Sequence, residues 1–363
     1  MDLAPKKIDV YITRKFISTF FVALLLIIGI VIIFDISEKI DDFVSKEAPL
    51  KAVIFDYYVN FIPYFMNMFS PLFVFITVIF FTSKMAADSE IIAILAGGVS
   101  FHRMMRPYLF SAALIAAFSL CLNLFVIPDA NKTRLDFENE YIKTRYKSVG
   151  RNVHYQISPG EFVFAESFSS WNNTAYRFTL EKIEDHKLVS KISAETAVYD
   201  STSGVWTLKK YFIREYNDDL TDKVRSGKQM DTVIALSNND FYLTEKTVET
   251  LTYKELNNLI DTQKMRGDAN VKFALMEKNR RFALPFSAFI LTIMGVALSS
   301  KKRRGGIGWN IGLGIALAFT YILFLKFSEM FVHAGVLPPF IALWMPNIVF
   351  ALIAAVLYRI APK

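Results

Sequence analysis

Phe16–Phe34 reads F-I-S-T-F-F-V-A-L-L-L-I-I-G-I-V-I-I-F, 19 residues without one charge. About 17–25 mostly apolar residues cross a bilayer as a helix, because a helix satisfies its own backbone groups without water. Outward from this run lie five more uncharged runs: Tyr57–Ser83 (27 residues), Pro107–Pro128 (22), Phe282–Ser300 (19), Gly305–Leu325 (21) and Val336–Tyr358 (23). The 363 residues are 53% hydrophobic and include 34 Phe. Water-soluble chains carry about 45–50% apolar residues. The reading is a polytopic α-helical membrane protein with six spans, three before and three after a long inserted segment. A soluble enzyme is excluded.

The net charge of +7 comes from 41 Lys+Arg against 34 Asp+Glu. Asp129–Arg281 holds 24 basic and 23 acidic residues, so +6 of the total surrounds the spans. That distribution argues against a nucleic-acid protein with one basic domain. With the N-terminus inside, the inner segments carry Lys6, Lys7, Arg14, Lys15, Lys84, Arg103, Arg106, Lys301, Lys302, Arg303, Arg304, Arg359 and Lys363. The short outer loops carry only Lys39, Lys46, Lys51 and Lys326. Thirteen basic residues inside against four outside predict cytoplasmic termini and a non-cytoplasmic middle segment. The single cysteine, Cys121, falls in the third span, so the outer domain has to fold on packing alone. No small A-x-A residues follow Phe34, which reads as an uncleaved anchor.

The division is 1–128 for the first three spans, 129–270 for the outer domain and 271–363 for the last three. The outer domain reads as β: His154–Phe168 around Pro159-Gly160, then Tyr176–Ile183, Leu188–Tyr199, and Val205–Tyr216 after Ser203-Gly204. Short strands at this spacing suggest a sandwich or jelly roll. Thr252 and Glu255 have capping-box spacing, with Leu256, Leu259 and Ile260 as an apolar stripe before Gly267. In the inner loop, about 84–98, Asp88 is expected to cap a helix starting near Glu90 and stopping at Gly97-Gly98. Docking into a partner's groove and resting on lipid headgroups both stay open for it.

Chemistry-bearing motifs are missing. There is no G-x-x-x-x-G-K-[ST] loop, no H-E-x-x-H or Cys/His ligand spacing for a metal, no G-x-S-x-G elbow, and no cofactor signature. The six runs hold no Asp, Glu, Lys, Arg or His, hence no proton relay. Asn60, Asn67, Asn123, Asn310 and Asn347 read as interhelical hydrogen bonds. Pro63 and Pro71 are expected to kink the second span. Gly308, Gly312, Ala316 and Thr320 form a small-residue stripe in the fifth, either packed within the chain or used as a subunit contact or gate. Lys39 and Lys326 are snorkelling anchors or contacts for lipid phosphates.

Several short segments, in order, resemble a known family. They are Ser89-Glu90-Ile91-Ile92 with Ala96-Gly97-Gly98, Leu251-Thr252-Tyr253-Lys254-Glu255-Leu256 through Gly267, Lys278-Asn279-Arg280-Arg281-Phe282-Ala283-Leu284-Pro285, and Gly335-Val336-Leu337-Pro338-Pro339. In the β region, Ala194 and Ala197-Val198-Tyr199-Asp200 before Trp206-Thr207-Leu208 add to these. Together they resemble the LptF/LptG (YjgP/YjgQ) permeases of lipopolysaccharide export, over essentially the whole chain.

The resemblance implies two permease halves on a cytoplasmic ABC ATPase dimer, in a bacterial inner membrane. The inner-loop helix (Glu90, Ile91, Ile92, Leu95) would couple ATP-driven closure to the membrane cavity. Lipopolysaccharide would enter between spans one and five of opposite subunits, and a periplasmic jelly roll would pass it to a bridge protein. The chain would need neither a nucleotide motif nor a buried charge. It departs at one point: where some members carry a lipid-contacting lysine inside the first span, apolar residues around Ile33 stand, leaving Lys39 as a nearby substitute candidate. The competing class is a membrane-anchored envelope scaffold whose β domain binds proteins without transporting lipid.

Overall fold

The computed structural model describes residues 6–142, 149–169, 172–201, 203–217, 221–236, 245–268, 270–301 and 306–361. Lys302, Arg303, Arg304 and Lys363 of the charge count, and Gly305 of the fifth run, lie outside them. Six helices are long and apolar enough to cross a membrane: α1 (Lys7–Ser45), α2 (Leu50–Ala87), α4 (Phe101–Ile142), α6 (Val271–Ser299), α7 (Gly306–His333) and α8 (Pro339–Ile360). A seven-residue helix, α3 (Glu90–Ala96), links α2 to α4. Contacts divide the chain into a helical unit, 1–142 with 275–363, and a β unit, 143–274. Both borders fall inside or beyond helices that outrun their apolar cores, so they lie past the 128/129 and 270/271 divisions read from hydropathy.

Between lipid-facing helices no hydrophobic effect drives association, so close fit and hydrogen bonds must hold the bundle. Four buried side chains at every fourth position, Ile12, Phe16, Phe20 and Leu24, pack α1 onto its neighbours. The Phe16 ring lies 5.6 Å from Phe81, which stacks on Tyr108 at 5.4 Å. Two glycines permit the closest approaches. A methyl at Gly295 on α6 would stand 2.9 Å from Val78, and one at Gly314 on α7 would overlap Ile79. Both neighbours sit on α2.

The asparagines mostly do as expected. Asn67 donates to Asn123 (2.8 Å) and accepts from Ser119 (2.5 Å), joining α2 to α4. Asn310 donates to Ser83 (3.1 Å), joining α7 to α2. Asn347 accepts from Tyr321 (3.0 Å) and donates to the Ala283 carbonyl (2.8 Å), tying α8 to α7 and α6. Asn60 instead caps carbonyls of its own helix, Phe55 and Asp56, where α2 widens into a π-turn. Pro63 and Pro71 both sit inside the continuous α2.

In the β unit, β1 (Val149–Ser158), β2 (Glu161–Ser169), β3 (Thr174–Glu184), β4 (Lys187–Asp200), β5 (Val205–Glu215) and β6 (Lys223–Thr232) form one antiparallel sheet in sequential order. Among the described residues the domain is therefore an antiparallel meander. Gly160 turns β1 into β2 at φ +82°, where a side chain would strike the Ile183 carbonyl. Phe168 pairs across Ala175, Ala197 and Leu208, one row of four strands. Flat strands three apart would be about 14 Å apart. Yet the Phe168 and Trp206 rings are 6.5 Å apart, reaching over the two alanines between them. Trp206 is fully buried, stacks on Phe178, and donates its indole N–H to the Leu236 carbonyl at 2.9 Å.

The capping box forms as expected. Thr252 caps α5 (Tyr253–Met265) by accepting from the Glu255 amide, and its own amide donates back to the Glu255 carboxylate at 2.9 Å. Leu256 and Ile260 are buried.

Candidate functional site

The link between α2 and α4 is short because α2 runs as far as Ala87. Asp88 still donates its amide to Lys84, so it closes α2 and does not cap α3. Ser89 takes the N-cap place in the left-handed region, φ +61°. The helix stops where expected, at Gly97, with Gly98 at φ +82°. On α3, Ile91 is buried in the bundle, Ile94 and Leu95 are partly buried, and Ile92, Ala93 and Ala96 are exposed.

Glu90 is tied to the amino-terminal end of α1. The Tyr11 hydroxyl donates to its carboxylate at 3.0 Å, and Lys15 donates to that hydroxyl at 2.7 Å while lying 3.8 Å from Glu90 itself. On the other side of the link, Arg103 in the first turn of α4 forms a fork on Asp9 of α1, at 2.7 and 2.6 Å. Bidentate guanidinium–carboxylate pairs fix geometry as well as charge. The first two turns of α1 are thus fastened to both ends of the α3 region. Tyr11, Asp9 and Arg103 carried no sequence signal as partners, since 79 and 94 residues separate the pairs.

At the opposite ends of the helices the charges are also internal. Lys39 donates to Asp35 and to the Tyr57 hydroxyl, and lies 4.9 Å over the Tyr57 ring. Tyr58 donates to the second Asp35 oxygen at 3.1 Å. Lys39 therefore joins α1 to α2 and is not a free anchor. Lys326 on α7 pairs with Glu329 (2.8 Å), which lies 3.5 Å from Arg280 on α6; beside it Arg281 holds Glu277 at 2.8 Å. Arg281, Glu277 and Glu329 are buried. The expectation of no buried charge is corrected here: the apolar runs are uncharged, but α6 and α7 continue past them and bury this cluster at their ends.

The small stripe of α7 packs against no other helix among the described residues. Gly308, Gly312, Ala316 and Thr320 are all exposed, and a methyl added at Gly308 or Gly312 meets nothing within 4 Å. The buried face of α7 is the one carrying Asn310, Gly314, Ala318 and Tyr321. Of the two readings left open for the stripe, internal packing finds no partner among the described residues.

The helical plan, the inserted antiparallel sheet and the ordered short motifs meet in one comparison. Residues 10–360 match the model of the lipopolysaccharide export system permease LptF/LptG. The chain belongs to the LptF/LptG family. A comparison with curated protein sequences returns no match. As an LptF/LptG permease the chain is a multi-pass membrane subunit of the lipopolysaccharide export transporter, and not itself a catalytic enzyme. In that frame the fastened α3 and the open faces of α1 and α7 are the features to explain. The apolar cores of these two spans are the least buried of the six, at 17% and 28%, against 78% for α6.

Proposed function

We propose that this LptF/LptG permease is one of two membrane halves seated on a cytoplasmic ATPase dimer. It draws lipopolysaccharide from the outer leaflet of the inner membrane and passes it to a periplasmic bridge protein. Its termini and α3 are cytoplasmic; residues 129–270 form the periplasmic domain. Glu90, Ile91, Ile92 and Leu95 form the coupling element, and the open faces of α1 and α7, the latter with Gly308, Gly312 and Ala316, meet the second half. Lys326, the half-exposed member of its ion cluster, is the candidate contact for a lipid phosphate; Lys39, held by Asp35 and Tyr57, is a second candidate.

The observation that carries this reading is the fastening of Glu90 to α1. A push on α3 from outside the membrane is transmitted to α1, the span whose apolar core is least buried. No energy source within the chain is then required. Reconstitution with the ATPase and the second half tests it. Glu90→Ala should assemble normally and hydrolyse ATP while losing ATP-dependent lipopolysaccharide release. Release at the wild-type rate would remove the coupling role; no ATP-dependent release from the wild-type assembly would favour a scaffold that tethers envelope proteins.

A further inference from the structure

We propose a second lipid site, separate from the export route: a crevice that retains one anionic glycerophospholipid, with an acyl chain inside and the headgroup at a His102–Tyr358 pair. The crevice lies between α4, α6 and α8 and encloses about 320 Å³. That is within the roughly 300–1,000 Å³ of ordinary ligand pockets. It exists because α8 presents Ala351, Ala354 and Ala355 where larger side chains would close the gap against Ile290 and Ile293 of α6.

Depth assigns the occupant. His102 is in the first turn of α4 and Tyr358 in the last turn of α8, so the polar edge lies where the helices leave the membrane. Their contact is 3.1 Å, between the imidazole Nδ1 and the phenol. Ile293 and Ile290 lie six and nine residues before the end of α6, which is roughly 9–14 Å deeper at 1.5 Å per residue. On α8, Leu352 and Val356 are exposed, so the flank beside the crevice faces hydrocarbon and not water. An acyl chain can enter from that flank, and the mostly apolar lining suits it better than a polar metabolite.

Charge selects the headgroup. No carboxylate lines the crevice. Arg106 is one turn beyond His102 on the same face, and Arg359 is one turn beyond Ala355, by the i, i+4 rule. Both are exposed, and neither forms an ion pair among the described residues. Lys301 closes the group, its ammonium on the Ile360 carbonyl at 2.8 Å. Three basic side chains, Arg106, Arg359 and Lys301, flank the His102–Tyr358 edge in sequence, complementary to a phosphate with net negative charge. The inference needs only that the helices span a bilayer. With the topology proposed above, the lipid belongs to the cytoplasmic leaflet.

The full-length chain in nanodiscs of mixed phosphatidylcholine and phosphatidylglycerol, stripped gently with detergent, provides the test. Native mass spectrometry should find one phosphatidylglycerol retained in preference to phosphatidylcholine. Arg106→Gln and Arg359→Gln should each lower that preference about fivefold, as expected for roughly 1 kcal/mol per basic residue at a membrane surface. Ala355→Trp should abolish retention by filling the crevice from its exposed side, while Leu352→Trp on the same helix should not. Equal retention of both lipids, or Ala355→Trp retaining lipid as the wild type does, would overturn the site. So would a photocrosslinker at Ala355 that captures a protein helix in native membranes instead of lipid.

Discussion

At the residue scale, two pairs of glycines in the last three spans do opposite things. Gly308 and Gly312 stand out in the sequence because they repeat every fourth position, yet both face outward. Gly295 and Gly314 form no such repeat and were not singled out, but each abuts a branched side chain of α2. Spacing reveals a small stripe; it does not reveal which face of a uniformly apolar helix is inside. Gly314→Val should therefore destabilise the helical unit by about 1–3 kcal/mol through overpacking against Ile79. Gly312→Val should leave the thermal stability of the isolated chain unchanged and weaken only its assembly with the second half. Detergent-solution melting curves of the two variants separate these outcomes; equal loss in both would contradict the observed orientation of α7. Trp206 illustrates a different case, a residue in a segment that the resemblance singled out. Trp206-Thr207-Leu208 follows Ala197-Val198-Tyr199-Asp200 in the family's pattern, and the register joins Tyr199 to Trp206. Trp206→Ala should cost about 3–5 kcal/mol, the usual range for a buried aromatic. Loss of near-ultraviolet circular dichroism and early unfolding of the β unit would show it.

At the element scale, boundaries set by local chemistry were readable and those set by distant partners were not. The Thr252–Glu255 box and the Gly97-Gly98 stop depend on residues within one turn of each other, and both formed. The cap of α3 was misplaced by one residue, Asp88 for Ser89, because α2 continues to Ala87 and retains Asp88. The ends of the spans were underestimated for a related reason. Charged residues such as Asp35, Arg281 and Lys326 stop an apolar run but not a helix; here Tyr57 and Tyr58 meet Asp35, Glu277 meets Arg281 and Glu329 meets Lys326. The fastening of α3 makes its own prediction. Tyr11→Phe removes the donor to Glu90 but keeps the ring, and should uncouple ATP hydrolysis from lipid release partially, where Glu90→Ala does so fully. Arg103→Ala, which strands the half-buried Asp9 carboxylate, should additionally lower stability. Coupled ATPase and release assays on the three variants order them; Tyr11→Phe behaving as the wild type would mean that Glu90 acts on a partner without the tie to α1.

At the scale of the whole molecule, the distribution of burial over the spans is uneven in a way that hydropathy could not report. All six runs are apolar enough to cross a bilayer, yet the core of α6 is 78% buried and that of α1 only 17%. Lipid is an adequate neighbour for either, so composition is the same while role differs. A helix enclosed by its own chain is a post around which the unit is built. α1 and α7 hold by one face only: a single buried stripe on α1, and on α7 the face opposite its small residues. If those open faces meet the second permease half, a photoreactive side chain at Leu26 or Phe319, both well exposed, should capture that subunit in the assembled transporter. Feeding lipopolysaccharide should then divert part of the capture from protein to lipid, since both would compete for one opening. A photoreactive side chain at Met294, fully buried on α6, should capture neither. Capture of phospholipid alone from Leu26 and Phe319, with or without lipopolysaccharide, would place the subunit contact on another face.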